Sequence, residues 1–416
     1  MPYSWLGLRR ALRFQSFFCR FYMNILRISL SYLRANMLST TLNITLLGFG
    51  VSVIVVLLLL VSQIEEKFVS NASGIQMVVG AKGSPMQLIL SAVYHIDYPT
   101  GNITVADAEK VSKNPLVKRA IPIGLGDSYR TFRIVGTYPS FYEHYNCQLA
   151  AGQWWQKPME AVIGSEVAAL TSLKVGDKFV GLHGLDEGGH AHDAAQYTVV
   201  GIMQQRGLVT DRLILTAMES VWQVHHEAEQ TPKPDSLQEY TALLLQYRST
   251  MAAITLPRMV NKISNLQAAV PAREISRLFN LIGIGADLLT YFGYAIISIS
   301  LLSMFGVLYN ALKERQFDIA LMRTLGASRR KVFLLIVFEG LLLAWVGTAL
   351  GLALGHGGIG LFTSYFVTET ASQLTALLWL PEEYLLIAAA TLAGFLAALL
   401  PAWQAYKLDI ADTLAK

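Results

Sequence analysis

The chain has 416 residues, of which 53% are hydrophobic and only 15% charged, with a mean hydropathy of +0.42. So apolar a composition excludes an ordinary soluble domain and points to the bilayer. The net charge of +4 follows from the membrane topology argued below, so it implies no nucleic-acid partner.

Residues 1–40 interleave arginines with aromatic side chains. Arg9, Arg10, Arg13, Arg20, Arg27 and Arg34 recur along a stretch without Asp or Glu, whereas a secretory signal gathers its charge at the start. Phe14, Phe17, Phe18 and Phe21 share one side at helical spacing, which predicts an amphipathic helix on the cytoplasmic face leading into the membrane. Residues 41–63 form the first of four stretches long and apolar enough to span the hydrocarbon as a helix.

The block 64–270 has the mixed polarity and turn density of a folded domain. Its pattern is helical over 70–90 and 105–112, and β-rich at 131–136, 178–182, 197–203 and 213–215. The predicted fold class is therefore an α-helical membrane protein with four transmembrane helices and an α+β domain inserted between helices 1 and 2. "VVGAKGS" from Val78 lacks the G-x-x-x-x-G-K-[ST] spacing that cradles phosphate, so any ATP is hydrolysed by a partner. Neither a G-x-S-x-G elbow nor an H-E-x-x-H motif is present, and the chain is not read as an enzyme. Cys19 and Cys147 fall on opposite sides of the membrane and cannot pair within one chain.

"HGLDEGGHAHD" places His183, His190 and His192 in a glycine-rich loop with Asp186, Glu187 and Asp193, and "VHHEAE" adds His225 and His226. Imidazoles and carboxylates suit zinc, so His183, His190 and His192 are candidate metal ligands. The other reading is a solvated, polar hairpin tip.

From Pro271 a helical pattern runs without a break to 311. At ~1.5 Å per residue it exceeds the hydrocarbon thickness, which predicts a rigid stalk continuing into the second span. The segment 312–331 contains "ERQFDIALMRTLGASRRK". Glu314, Arg315 and Asp318 mark the emergence of the stalk helix, and Phe317, Leu321 and Leu325 recur at i, i+4 and i+8 as an apolar stripe that needs a partner. Gly326, Ala327 and Ser328 permit a tight reversal, after which Arg329, Arg330 and Lys331 hold the start of the third span at the interface.

Span three, 332–355, carries Gly340, Gly347, Gly351 and Gly355, whose spacing allows close helix approach within the chain or across a dimer seam. Gly48 and Gly50 make span one the alternative seam. Glu339 is costly in lipid, which makes it either a functional group or a structural carboxylate, bonded to a neighbouring helix or reaching interfacial water. The loop 356–383 has no Lys or Arg, and span four, 384–406, ends in a tail, 407–416. By the positive-inside rule both termini and 312–331 are cytoplasmic, while 64–270 and 356–383 face outward.

Three features coincide: this topology, the segment "ERQFDIALMRTLGASRRKVFLLIVFEG" and the terminal "PAWQAYKLDIADTLAK". Together they resemble the MacB/FtsX/LolC-type permeases of ABC transporters. Within the outer domain, "EAVIGSEVAALTSLKVGDKFV" and "YTVVGIMQQRGLVTDRLILTAMESVWQVH" are similar to that family's periplasmic core. The resemblance covers nearly the whole chain and implies a permease subunit in a bacterial inner membrane. It implies a homodimer working with two copies of a separate cytoplasmic ATPase that binds ATP and magnesium, and a periplasmic adaptor or substrate protein. ATP-driven closure would move the outer domains without necessarily passing substrate through the bilayer. Glu314, Arg315, Phe317, Asp318, Leu321, Arg323, Leu325 and Gly326 are then the ATPase-coupling residues. The arginine-rich N-terminus and the histidine loop depart from the family. The competing readings are a membrane receptor or sensor without an ATPase, and a tethered periplasmic metal-binding protein.

Overall fold

The structure, a computed structural model, describes residues 27–182, 191–229, 238–263, 265–366 and 374–410. Phe14, Phe17, Phe18 and Phe21 lie outside the described residues.

A short helix α1 (27–35) precedes α2 (Met37–Asn71). The chain then forms β1 (Met77–Ala81), α3 (Pro85–Ala92), β2 (Ile103–Thr104), α4 (Val105–Ser112), β3 (Val117–Tyr129), β4 (Phe132–Thr137) and α5 (Pro139–His144). Next come β5 (Leu149–Gly152), β6 (Glu160–Ile163), α6 (Ser165–Thr171), β7 (Lys178–Leu182), β8 (Ala191–Met203), β9 (Ile214–Ala217) and α7 (Met218–Glu229). The outer domain ends with β10 (Glu239–Tyr240), β11 (Ala242–Tyr247), α8 (Thr250–Val260) and β12 (Leu266–Ala269). Four helices complete the chain: α9 (Pro271–Glu314), α10 (Gln316–Thr324), α11 (Arg329–Phe366) and α12 (Pro381–Lys407).

Two compact units result, Met1–Ser62 with Gly283–Lys416, and Gln63–Ile282. In the first, α2, α9, α11 and α12 are the helices long and apolar enough to cross a membrane. The second, inserted after the first span, is built on a sheet in the order β12-β1-β11-β3-β4-β9-β6-β8-β5, with β7 joining β3 and β8. Most neighbours are antiparallel, but β4 with β9 and β6 with β8 are parallel. Helices α3 and α5 bury Leu88, Ile89 and Phe141 in one cluster with Val78, Ile121 and Leu244, while α8 buries Leu256 and Val260 in another with Val79 and Leu245.

The structure corrects the helix expected over 70–90. Helix α2 continues to Asn71, Gly74 takes a positive φ of 77°, and β1 follows. Val78 and Val79 are fully buried between β12 and β11, a pleated setting that suits β-branched side chains. Ser84 then caps α3, its hydroxyl accepting from the Gln87 amide, and Pro85 opens the helix.

Candidate functional site: helix α10 and its anchors

Helix α10 is the short element that the charge-rich segment forms. Its C-terminus closes as a paired reversal: the Ala327 amide donates to Met322 O at 3.0 Å and the Gly326 amide to Arg323 O at 3.1 Å. Gly326 holds a φ of 100°, which a side chain would strain, and Ser328 then caps α11 through the Lys331 amide.

The two faces of α10 differ in kind. Ile319 and Ala320 are buried, Ile319 packing in a cluster with Leu312, Val332, Ile336 and Ala402. On the opposite face Phe317 is 58% exposed, Leu321 46% and Leu325 81%. The stripe predicted from helical spacing is therefore exposed among the described residues. Glu314, Asp318 and Gly326 are likewise exposed.

Two of the residues assigned to this segment point elsewhere. Arg315 turns inward, and its guanidinium lies 3.2 Å from Glu339 Oε1 and 3.9 Å above the Tyr32 ring. Arg315, Glu339 and Tyr32 share a cleft with Leu308, Leu312 and Met322, of about 20 Å³, room for roughly one water. This contact ties α1 and α11 to the junction of α9 and α10. Burial, reinforced by Asp318 and Glu339 and opposed by Arg315, raises the Tyr32 phenol above its ordinary value, so it stays protonated. Arg323 reaches back to donate to Leu408 O, fastening α10 to the chain just beyond α12. Glu339 thus has a cationic partner at the junction of α9 and α10.

The glycines of span three are used inside the chain. A Cβ on Gly347 would lie 2.8 Å from Leu47, on Gly351 2.6 Å from Val51, and on Gly355 2.7 Å from Val55. Gly340 instead meets Ala398 of α12 at 2.6 Å. Gly48 and Gly50, read as an alternative dimer seam, also face inward: Gly48 onto Leu350, Gly50 onto Ile297. One helix, α2, thus packs against both α11 and α9.

A further cluster was not singled out in the sequence. His356 Nδ1 donates to Ala376 O at 2.6 Å, Nε2 lies 2.9 Å from Glu383 Oε2, and Trp379 stacks on the imidazole. Fully buried Glu383 also accepts the Leu380 amide through Oε1. These bonds hold the loop before α12 onto α11. The available signal was a His and a Glu at opposite ends of a loop without Lys or Arg.

In the outer unit, the ends of α2 and α9 are locked by hydrogen bonds and rings. Tyr94 donates to Phe68 O at 2.7 Å, the Val209 amide to Asn71 Oδ1 at 2.7 Å, and His144 Nε2 to Ser73 O at 3.1 Å, while Phe68 meets Phe279 edge-on. Burial lowers the His144 pKa, so the ring is neutral here and Nδ1 accepts from Gln246. Cys147 is half-buried, and burial pushes its thiol up to about 11, which leaves it unreactive at neutral pH.

His183 and His190 lie outside the described residues, and for His192 only the backbone within β8 is described. Among the described residues no group of three His, Cys, Asp or Glu gathers as a metal site.

Comparison with known proteins bears on both units. The MacB-like periplasmic core domain matches residues 40–255, and the FtsX-like permease C-terminal matches 290–410. The macrolide export ATP-binding/permease protein MacB of Chromobacterium violaceum is 31% identical over 115 residues, 28% of this chain and 17% of that protein. The chain thus aligns with less than a fifth of that relative's length. The periplasmic region of MacB from Actinobacillus actinomycetemcomitans is similar over 51% of this chain and 98% of its own, with 11% identity and a TM-score of 0.34. The extracellular domain of the noncanonic ABC-type transporter YknZ from Gram-positive bacteria is similar over 46% and 98%, with 11% identity and a TM-score of 0.30. With one family domain spanning the first helix and most of the outer unit, and the other spanning the remaining membrane helices and α10, this chain belongs to the MacB/FtsX-type ABC transporter permeases.

Proposed function

We propose that the chain is the membrane subunit of a complex in which a separate cytoplasmic ATPase docks on α10 and moves the outer domain. The observation that carries the reading is the exposed stripe of Phe317, Leu321 and Leu325 on a helix whose other face is built into the protein. An apolar stripe flanked by charges at the cytoplasmic interface is a ready docking surface for a partner protein. Arg315, Arg323 and Ile319 then act as anchors that pass displacement to α1, α11 and the chain after α12. Displacement can travel because α2 and α9 are continuous helices whose far ends are locked within the outer unit. On this reading the chain itself hydrolyses nothing, ATP and magnesium belong to the partner, and two copies work with two ATPases. Both termini are cytoplasmic, the outer domain is periplasmic, and the cargo is handled there.

The test uses tagged full-length protein purified from native membranes. Wild type retains an ATPase subunit and stimulates its hydrolysis. Phe317→Glu with Leu325→Glu loses both by more than roughly tenfold, since truncating or reversing a docking anchor costs about 2 kcal/mol or more, while insertion and thermal stability are unchanged. Gly326→Pro, incompatible with the positive φ and lacking the amide that donates to Arg323 O, also loses retention and stimulation. Full ATPase retention and stimulation in both variants would sink the proposal and favour a receptor without an ATPase.

A further inference from the structure

The outer unit carries a second short helix with an exposed face, at one end of which the Asn114 side-chain amide reaches Met259 Sδ at 3.8 Å. Helix α8 buries Ala252, Leu256 and Val260 against the sheet. Its other face reads Met251, Ile254, Thr255, Arg258 and Met259, continuing through Lys262 to Ile263, at steps of three and four residues. All seven are exposed, with Met251 at 65% and Ile254 at 56%. Three large apolar side chains on this helix, with Ile263 just beyond its end, are not explained by the fold, because the helix's core contacts are made by the opposite face.

The charge on this row is of one sign. Residues 250–263 contain no Asp or Glu, and neither Arg258 nor Lys262 forms an ion pair among the described residues. A third cation, Lys82, donates to Asn261 O and so sits at the same end of the helix. Neighbouring carboxylates are already engaged: Asp107 with Lys110 and Asn265, Glu109 with Lys113.

We propose that this face docks an amphipathic segment of a periplasmic protein whose apolar side chains are flanked by carboxylates. The apolar row supplies contact area, and the unpaired cations select acidic flanks and steer the encounter. A second copy of the same face is disfavoured, because a twofold axis would set Arg258 and Lys262 against their own duplicates. A lipid surface fits less well, because the row lacks the Trp, Tyr or Phe that anchor proteins at the headgroup boundary. Met251 and Met259 provide an adaptable surface suited to a protein side-chain row. The proposal rests on the placement of this unit outside the membrane and not on the ATPase reading.

The experiment uses the full-length chain in nanodiscs of zwitterionic lipid and two fluorescent synthetic amphipathic helices with the same Leu/Met face, one flanked by Glu and the other by Lys. The Glu-flanked helix binds roughly tenfold tighter or better, and its affinity falls with salt. Arg258→Glu with Lys262→Glu inverts the preference, and Ile254→Ser with Met259→Ser weakens binding by roughly tenfold. All these residues are exposed, so the variants keep the wild-type thermal transition. Equal binding of the two helices, or a preference that survives the charge reversal, overturns the proposal. Capture by phosphatidylglycerol vesicles that depends on Arg258 and Lys262, without a peptide preference, also overturns it in favour of lipid. So does ready disulfide cross-linking between copies of an Ile254→Cys variant, which would make the face self-associating.

Discussion

The membrane unit and the outer unit reach close packing by opposite means. At Gly351 the neighbouring helix comes so near that an added Cβ would lie 2.7 Å from Gly48 O, so contact depends on a side chain that is missing. In the outer unit, contact depends on bulk: Phe141, Tyr197, Met77 and Leu88 are fully buried between the sheet and its helices. The difference follows from the solvent. Lipid offers no hydrophobic drive to bring helices together, so backbones must approach for dispersion to gain anything, whereas water rewards every large apolar side chain removed from it. Two buried carboxylates of the membrane unit have partners, Glu339 in Arg315 and Glu383 in His356, while among the described residues of the outer unit the ring nitrogens of buried His95 have no hydrogen-bond partner.

That comparison can be broken first at the ion pair. Glu339→Leu leaves the Arg315 guanidinium buried beside Tyr32 and uncompensated, which costs about 3–5 kcal/mol, whereas Arg315→Met with Glu339→Leu recovers most of the loss. Thermal unfolding of the nanodisc-embedded protein distinguishes the cases; equal loss in single and double variants would mean that packing, not charge, holds the junction.

Gly351→Leu tests the packing argument. Overpacking at the α2–α11 contact costs about 1–3 kcal/mol and should loosen the membrane helices. Hydrogen exchange is expected to rise in 47–55 and 347–355 and to stay unchanged in the outer sheet; protection lost equally in both units would show them to be one cooperative structure.

The smallest effect is sought in the outer unit. Burial, with Arg133 adding repulsion, lowers the His95 pKa to about 3. The folded state therefore keeps the ring neutral while the unfolded chain takes up a proton below about 6.5. Stability from this group is fully present above the unfolded value and is lost as pH falls from there toward the folded one, amounting to about 2 kcal/mol at pH ~5. His95→Asn, which suits the positive φ of 57°, removes that dependence. Exchange of amides near 95 measured at neutral and mildly acid pH checks it, and an identical acid response in the variant would assign the effect to other groups.

Legibility differed by region for the same physical reasons. Long apolar helices and arginine-rich loops announce themselves because transfer into lipid is a large, local and nearly additive cost, so α2, α9, α11 and α12 could be read in order. The stripe of Phe317, Leu321 and Leu325 was also legible, since it follows from helical period alone. By contrast β1 was hidden within an apparent helix, because "QMVVGA" becomes a strand only between β11 and β12, contributed from residues far along the chain. Arg315 read as one of the residues marking the emergence of the stalk helix, and only the approach of Tyr32 and Glu339 turns it inward.

Hydrophobic period and the distribution of Lys and Arg by themselves determined the number of spans, the insertion of an α+β domain after the first, and an apolar stripe on a short helix after the second. The tertiary structure alone decided which neighbour each glycine admits, that Glu339 has a cationic partner, that His356 meets Glu383, and that the outward row on α8 is exposed. Those outcomes depend on which distant segments come within a few ångströms, and a one-dimensional pattern carries no information about that separation.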